Sequence, residues 1–190
     1  MKHLIVFLLL VGCVTAVKNL PNKPATQDKC INSYTKQDFV SAKTDCALCL
    51  EISPNDADCL NGLGLVHFTA KDLNKAELLF SKAATSDPDN AMSYNNLGAV
   101  YYLKKDHISA LTYFLAALDL EPNYPDARFG AILSYMDRAF ESQLNWEKLE
   151  MFEKAQDQMS ALLLITPDYP NASSIKGQIK HYINVLNSTK

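Results

Sequence analysis

The residues of this sequence whose type and spacing could support chemistry are four cysteines, Cys30, Cys46, Cys49 and Cys59. Cys46-Ala-Leu-Cys49 has the spacing of a dithiol that cycles between two thiols and a disulfide. A reactive pair of that kind normally lies at a helix start beside a strand, where its thiolate is stabilised. Here the pair falls near the end of a predicted helix with no strand beside it, so the case for redox chemistry is weak.

A metal site built from the same four cysteines is a second alternative. The cysteines are separated by 15, 2 and 9 residues, whereas a zinc ribbon has two pairs with two residues inside each pair. Two structural roles compete with these: disulfides, which neighbouring cysteines of an exported protein commonly form, and small core residues. We favour disulfides and keep a thiol redox or metal-binding protein as the alternative function.

The rest of the sequence offers no catalytic pattern. It contains no nucleophile motif, no phosphate-binding loop and no histidine pair with metal-ligand spacing. Its 18 basic and 21 acidic residues are interspersed and give a net charge of −3, unlike the basic patch of a nucleic-acid-binding protein. We therefore expect a protein that is not an enzyme, needs no cofactor, and takes neither nucleic acid nor a small-molecule substrate.

The first residues, MKHLIVFLLLVGCVTA, have the layout of an export signal: a basic start, an apolar run too short to span a bilayer, and small residues. Residues 10–13, Leu-Val-Gly-Cys, resemble the bacterial lipobox, which implies a signal over residues 1–12, lipidation of Cys13 and a periplasmic location. Cleavage after Ala16 is the alternative and would release a soluble protein. Residues 13–24 contain two prolines and no helical period, which predicts a tether.

A period of 34 residues organises the remainder of the chain. Pro54, Pro88 and Pro122 are spaced by 34, and the segments between them align as Leu60-x2-Leu63-Gly64 with Tyr94-x2-Leu97-Gly98, and as Ala76-x3-Phe80-x2-Ala83 with Ala110-x3-Phe114-x2-Ala117. This pattern resembles the tetratricopeptide repeat. The resemblance implies an all-α fold, a right-handed superhelix of about four antiparallel helix hairpins.

Less regular copies flank these two. We place the copies at about residues 23–56, 57–90, 91–124 and 125–169, within a domain of residues 25–187. An insertion near residues 137–150 should lengthen the two helices of copy four. Apolar residues at helical spacing over residues 170–187 predict an amphipathic helix that closes the open end of the array.

In this family the first helix of each hairpin lines a concave groove, and fixed positions of each copy face it. Those positions hold an aromatic and methionine stripe beside an amide row, which gives the predicted partner-binding residues Tyr34, Asn61, Phe68, Asn95, Tyr102, Phe129 and Met136. Such a lining suits an extended or helical peptide with apolar anchors. The alternative is that the stripe is half-buried core or is covered by the protein's own terminal helix. The family's carboxylate clamp is not expected, because Gly62 and Gly130 stand where polar or basic side chains are needed.

The resemblance also implies disulfide partners. Helix packing in this family would bring Cys30 against Cys46 within the first hairpin, and Cys49 against Cys59 across to copy two. Each bridge would stabilise the least regular copy by ~2–4 kcal/mol. We expect a non-catalytic adaptor that holds a protein or peptide partner, as a membrane-anchored lipoprotein that aids assembly of an envelope complex.

Overall fold

The computed structural model describes residues 25–188, in which the only regular elements are helices. Nine helices follow one another in this range: α1 Ala25–Thr35, α2 Phe39–Ile52, α3 Ala57–Thr69, α4 Leu73–Ser86, α5 Ala91–Leu103, α6 His107–Leu120, α7 Pro125–Glu141, α8 Asn145–Ile165 and α9 Ala172–Ser188. The prediction of an all-α fold is therefore confirmed. The predicted signal, Cys13 and the tether lie outside the described residues.

Consecutive helices pack as antiparallel pairs, and the first helices of neighbouring pairs also contact one another. The pairs α1–α2, α3–α4, α5–α6 and α7–α8 are the four copies, and α9 packs on α8. The chain therefore folds as an array of helix hairpins that is closed at one end by a single helix.

A polar capping residue precedes most of the helices. Its side chain accepts a hydrogen bond from the backbone N–H three residues further on, as seen for Asp38, Asp56, Asp72, Asn90 and Asp106. Each of these bonds satisfies one of the amide groups that a helix start leaves unpaired. Helix α7 instead begins with Pro125, which needs no partner for a backbone N–H.

The first three hairpins turn in the same way. Gln37, Lys71 and Lys105 have φ angles of 59°, 62° and 63°, and each directly precedes the capping aspartate of the second helix. The backbone N–H of Lys71 donates to the carbonyl of Phe68 at 2.9 Å, and the other two turns repeat this bond at 3.0 Å. This left-handed turn ends the first helix. The turns therefore lie at one edge of the array, because the first helices run side by side.

Phe114 shows why glycines recur at fixed intervals. A Cβ added at Gly98 would lie 2.7 Å from Phe114 Cδ1, and one added at Gly130 would lie 2.4 Å from Phe114 Cε1. Gly98 belongs to the same hairpin as the ring, and Gly130 belongs to the next hairpin. A larger residue at either position would collide with a fully buried side chain. The two glycines therefore set the helix spacing within copy three and between copies three and four.

Copy four is longer than the others. Helices α7 and α8 have 17 and 21 residues, whereas α5 and α6 have 13 and 14. Helix α9 covers α8 with Ile175 and Ile179, which are both buried. Among residues 25–188, no helix combines the length and the apolar character needed to cross a bilayer.

Candidate partner-binding face

The first helices of the four hairpins, α1, α3, α5 and α7, form the surface that we call the inner face. It carries all seven predicted partner-binding residues. Only Tyr102 among them is half-exposed. The other six are almost fully buried, with relative exposures of 4% for Tyr34 and Phe68, 5% for Met136, and 0% for Asn61, Asn95 and Phe129. These six side chains do not line an open groove in this structure, which corrects that part of the prediction.

Packing across helices contributes to the burial of the aromatic stripe. The ring of Tyr34 lies against α3, since a Cβ added at Gly62 would be 2.6 Å from Tyr34 Cδ1. The ring of Phe129 packs on Tyr169, with the two centroids 4.9 Å apart. The remaining buried members of the stripe belong to the same continuous core. A repeat period alone cannot separate a lining residue from a core residue, because both recur every 34 positions.

The amide row hydrogen-bonds across successive copies. Asn61 Nδ2 donates to Ser93 Oγ at 2.8 Å, and Asn96 Nδ2 donates to Asn61 Oδ1 at 3.4 Å. One copy earlier, Gln27 Nε2 donates to Asp58 Oδ2 at 3.2 Å. We call these five residues the amide ladder. Its partners Ser93 and Asp58 were not predicted, because they are short polar residues at positions that the repeat pattern does not mark.

Tyr102 lies at the junction of copies three and four. Its hydroxyl donates to Asp137 Oδ2 at 2.6 Å, and its ring meets the His107 ring edge-on at 5.3 Å. His107 Nε2 lies 3.4 Å from Glu141 Oε1. Burial first, and then the hydrogen bond to Asp137, raises the pKa of Tyr102 above its ordinary value. The phenol therefore stays protonated at neutral pH and acts as a hydrogen-bond donor.

Tyr101, the tyrosine of the repeat pattern, joins copies two and three. Its hydroxyl donates to Glu77 Oε1 at 2.6 Å, and this hydrogen bond raises the pKa of Tyr101 to about 12. Lys104 donates to the other oxygen of Glu77, and these bonds hold the pKa of that carboxyl below its usual range. The cluster therefore serves as a structural junction between copies two and three.

Asp126 is the buried acid of copy four. It is 2% exposed, and its Oδ1 accepts a hydrogen bond of 2.7 Å from the Tyr169 hydroxyl. Burial raises the pKa of Asp126 to about 6, although the bond from Tyr169 acts in the opposite direction.

The four cysteines form two disulfides, Cys30–Cys46 and Cys49–Cys59. These are the pairs that the resemblance implied. All four residues are at most 2% exposed. A buried disulfide offers an attacking thiolate little access, which does not favour the redox alternative.

The disulfide of copy one replaces the contact that Phe114 makes in copy three. Cys30 and Cys46 occupy the positions of Gly98 and Phe114, each 68 residues before its counterpart. The bridge therefore joins the two helices of copy one where a glycine and a phenyl ring meet in copy three. The repeat pattern did not predict that both partners of one contact change together.

Cys49, Asp56 and Cys59 are the one group in residues 25–188 whose side-chain donor atoms are close enough to hold a metal ion. Both sulfurs are bonded to each other, so neither is a thiolate ligand in this state. Asp56 caps α3 by accepting the backbone N–H of Cys59 at 2.9 Å. The group therefore has a structural role at the start of α3 and gives the metal-binding alternative no support.

Comparison with known proteins agrees with the repeat pattern. Tetratricopeptide repeat family models match residues 47–91 and residues 91–124. Residues 47–124 belong to the tetratricopeptide repeat family. Among curated proteins, none matches the sequence at a significant level.

Solved structures show the same fold. This tetratricopeptide repeat array superposes on Pseudomonas aeruginosa pilF with a TM-score of 0.68 and 19% identity, covering 87% of this chain and 75% of that chain. It matches the first repeat domain of Spaghetti, bound to an HSP90 peptide, with a TM-score of 0.58 and 19% identity, covering 68% of this chain and 96% of the other.

A mutant O-GlcNAc transferase from Thermobaculum terrenum is also similar, with a TM-score of 0.59 and 23% identity over 71% of this chain. The array spans 26% of that enzyme. At these identities the likeness shows the superhelical fold alone. The likeness is therefore not evidence of enzymatic activity in this tetratricopeptide repeat protein.

Proposed function

We propose that this chain is a non-catalytic adaptor that holds a segment of a partner protein on its inner face. Tetratricopeptide repeats and repeat-containing neighbours, one of them bound to a peptide, support the general role of a protein-interaction module. The observation that carries the proposal is the rim of the inner face, where Tyr102, Leu103 and Asp137 remain half-exposed beside the buried stripe.

The rim of the inner face is the part that a partner meets first. Tyr102, Leu103 and Asp137 are half-exposed at the twelfth and thirteenth positions of copies three and four. The tyrosine supplies a rigid amphipathic ring, and such rings commonly dominate binding energies at interfaces. The partner segment therefore makes its contact at this rim.

The test is a comparison of two double variants in capture of partners from intact cell envelopes. Tyr102→Ser with Leu103→Ser should lower capture by about ten-fold or more, because it removes two apolar contacts from the rim. Leu78→Ser with Ile108→Ser is the matched control, since these side chains are 61% and 65% exposed on the second helices.

Far-ultraviolet circular dichroism of both double variants must match that of the natural chain. Equal capture by the two variants would show that the rim is not the binding surface. Loss in both would point to a folding effect instead, and would also count against the rim.

We further propose that the adaptor is a lipoprotein of a bacterial envelope complex, anchored through Cys13. The lipobox-like residues 10–13 support this proposal. Several acyl chains on one cysteine would anchor the protein stably, whereas a single chain is marginal.

Labelled palmitate should enter the natural chain in a bacterial host and be lost in Cys13→Ala. A matched Cys30→Ala variant, which changes a disulfide cysteine, should keep its label. Labelling that survives Cys13→Ala would rule out the anchor and leave cleavage after Ala16.

A further inference from the structure

The inner face has an apolar column along its centre. Ile31, Leu65, Ala99 and Leu133 recur every 34 residues, one on the first helix of each copy. Each lies three residues before a member of the aromatic and methionine stripe, so the two sets share one face of their helices. We call these four residues the apolar column. All four side chains are at most 6% exposed.

The helices of residues 25–188 do not supply a cover that crosses this column. In that range each first helix has its main contacts with second helices and with neighbouring first helices. Helix α9, the terminal helix that could have covered the face, packs on α8 instead. An apolar surface that continues through four copies favours a contact that keeps water from it. The column therefore calls for an occupant from outside the described helices.

The longest apolar run of the chain precedes the described range. Residues 4–11 are eight consecutive apolar residues. Within them Leu4, Phe7, Leu8 and Val11 recur at the three- and four-residue spacing with which the apolar anchors of a helix enter a groove. The run thus has the chemistry of the peptide that this face is expected to take.

The connection to the array is long enough for this run to reach the column. Residues 12–24 separate it from Ala25, the first residue of α1. These 13 residues span up to ~40 Å when extended. Helices packed 8–10 Å apart place α7 roughly 30 Å from α1. A tether of this kind gives the run an effective concentration on the order of millimolar at every first helix.

The charges of the N-terminal segment and of the first helices are of opposite sign. Residues 1–24 contain three lysines and no acid. The four first helices carry three bases against five acids, Asp28, Asp58, Asp126, Asp137 and Glu141. Asp58 belongs to the amide ladder and Asp137 to the rim. One of the bases, Arg128, donates to Gln158 on α8, so its side chain is directed towards a second helix. Attraction therefore favours this segment over a second inner face as the occupant.

We propose that residues 4–11 of the uncleaved chain dock on the apolar column and keep a partner from the rim. The inference rests on the adaptor role proposed above. Ala99 lies one helical turn from Tyr102, so a segment on the column obstructs the rim. Hydrolysis of the peptide bond before Cys13, or after Ala16, by a signal peptidase removes the segment. Export would thus make the binding face available.

Photo-crosslinking tests the contact in the full chain. The chain is produced without export, so that it keeps residues 1–24, and is oxidised so that both disulfides form. A p-benzoylphenylalanine in place of Phe7 should join the segment to α3, α5 or α7, in a product with the mass of one chain. The same probe in place of Leu164, which is 85% exposed on α8, is the control and should not label α3 or α5.

Aspartate variants of the segment test whether it covers the column. Leu4→Asp with Leu8→Asp should release the segment, and the fluorescence of Nile red, a neutral dye for apolar surfaces, should rise about two-fold or more. A segment that is already free would bind less dye after the same change, so the fluorescence would fall. Val14→Asp with Val17→Asp adds the same charge to the tether and should leave the fluorescence unchanged. Both pairs lie outside residues 25–188, so the folded array is not altered.

Three outcomes would overturn the proposal: no crosslink to a first helix, a crosslinked product with the mass of two chains, or a dye signal that stays equal or falls in the Leu4 and Leu8 variant. The second outcome would place the segment on another copy of the chain. The capture test of the rim uses the exported chain, which has lost this segment. Failure of that test with an intact crosslink would therefore count against the adaptor role alone.

Discussion

Asp126 illustrates how a single residue can make the stability of the array depend on pH. Its carboxyl is buried beside the Tyr169 hydroxyl, and its pKa in the folded chain is about 6, against ~3.9 in an unfolded chain. The unfolded state therefore ionises more readily. The stabilising effect of this group is complete below pH ~4 and is lost as the pH rises through about 6.

We predict that Asp126→Asn removes this dependence. An amide cannot ionise but still accepts the Tyr169 hydrogen bond. The free energy of unfolding of the variant, measured relative to the natural chain, should therefore be about 2–3 kcal/mol higher at pH 7 than at pH 4. Urea denaturation of both chains from pH 4 to 7.5 measures the difference. Parallel curves over that range would show that Asp126 is not the responsible group.

At the scale of elements, copy one depends on a covalent link where other copies depend on packing. Cys30 and Cys46 stand where copy three has Gly98 and Phe114. A disulfide stabilises mainly by restricting the unfolded chain, whereas a ring over a glycine stabilises through dispersion and apolar burial. The disulfide of copy one and the glycine–phenylalanine contact of copy three thus join equivalent helices through different interactions.

We predict that Cys30→Ala with Cys46→Ala lowers the free energy of unfolding by ~2–4 kcal/mol, because the loop constraint is lost. Cys30→Gly with Cys46→Phe should recover part of that loss by restoring the contact seen in copy three. Urea denaturation followed by circular dichroism distinguishes the three chains. The interpretation would fail if the glycine–phenylalanine variant were no more stable than the alanine variant.

The helices themselves were predictable because their positions follow from the 34-residue period. Pro54, Pro88 and Pro122 mark where second helices end, and the capping aspartates mark where helices begin. The longer hairpin of copy four was also predicted, because an insertion near residues 137–150 interrupts the 34-residue period. The exposure of Phe140, Leu144 and Trp146 around the α7–α8 turn was not predicted, since residues 140–146 have the composition of an ordinary helix.

At the scale of the whole molecule, the sequence predicted the array but not which inner-face atoms are accessible. Asn61 and Phe129 satisfy the positional rule for a groove, yet they are fully buried. Asn61 is hydrogen-bonded by Ser93 and Asn96 of the next copy, and the Phe129 ring packs on Tyr169 of its own copy. These contacts join positions that are distant in sequence, and the repeat pattern does not mark Ser93 or Tyr169.

Phe114 rests on a glycine of its own hairpin and on a glycine of the following one. The Phe114 ring of copy three is therefore fully covered only when the next copy has a glycine at the position of Gly130. Engineered chains with reordered or duplicated copies should fold when a copy with that glycine follows copy three. When another residue stands there, the Phe114 ring should be left partly exposed to water. The order of the units is therefore constrained at this junction, because copy three has to be followed by a unit with a glycine at the position of Gly130.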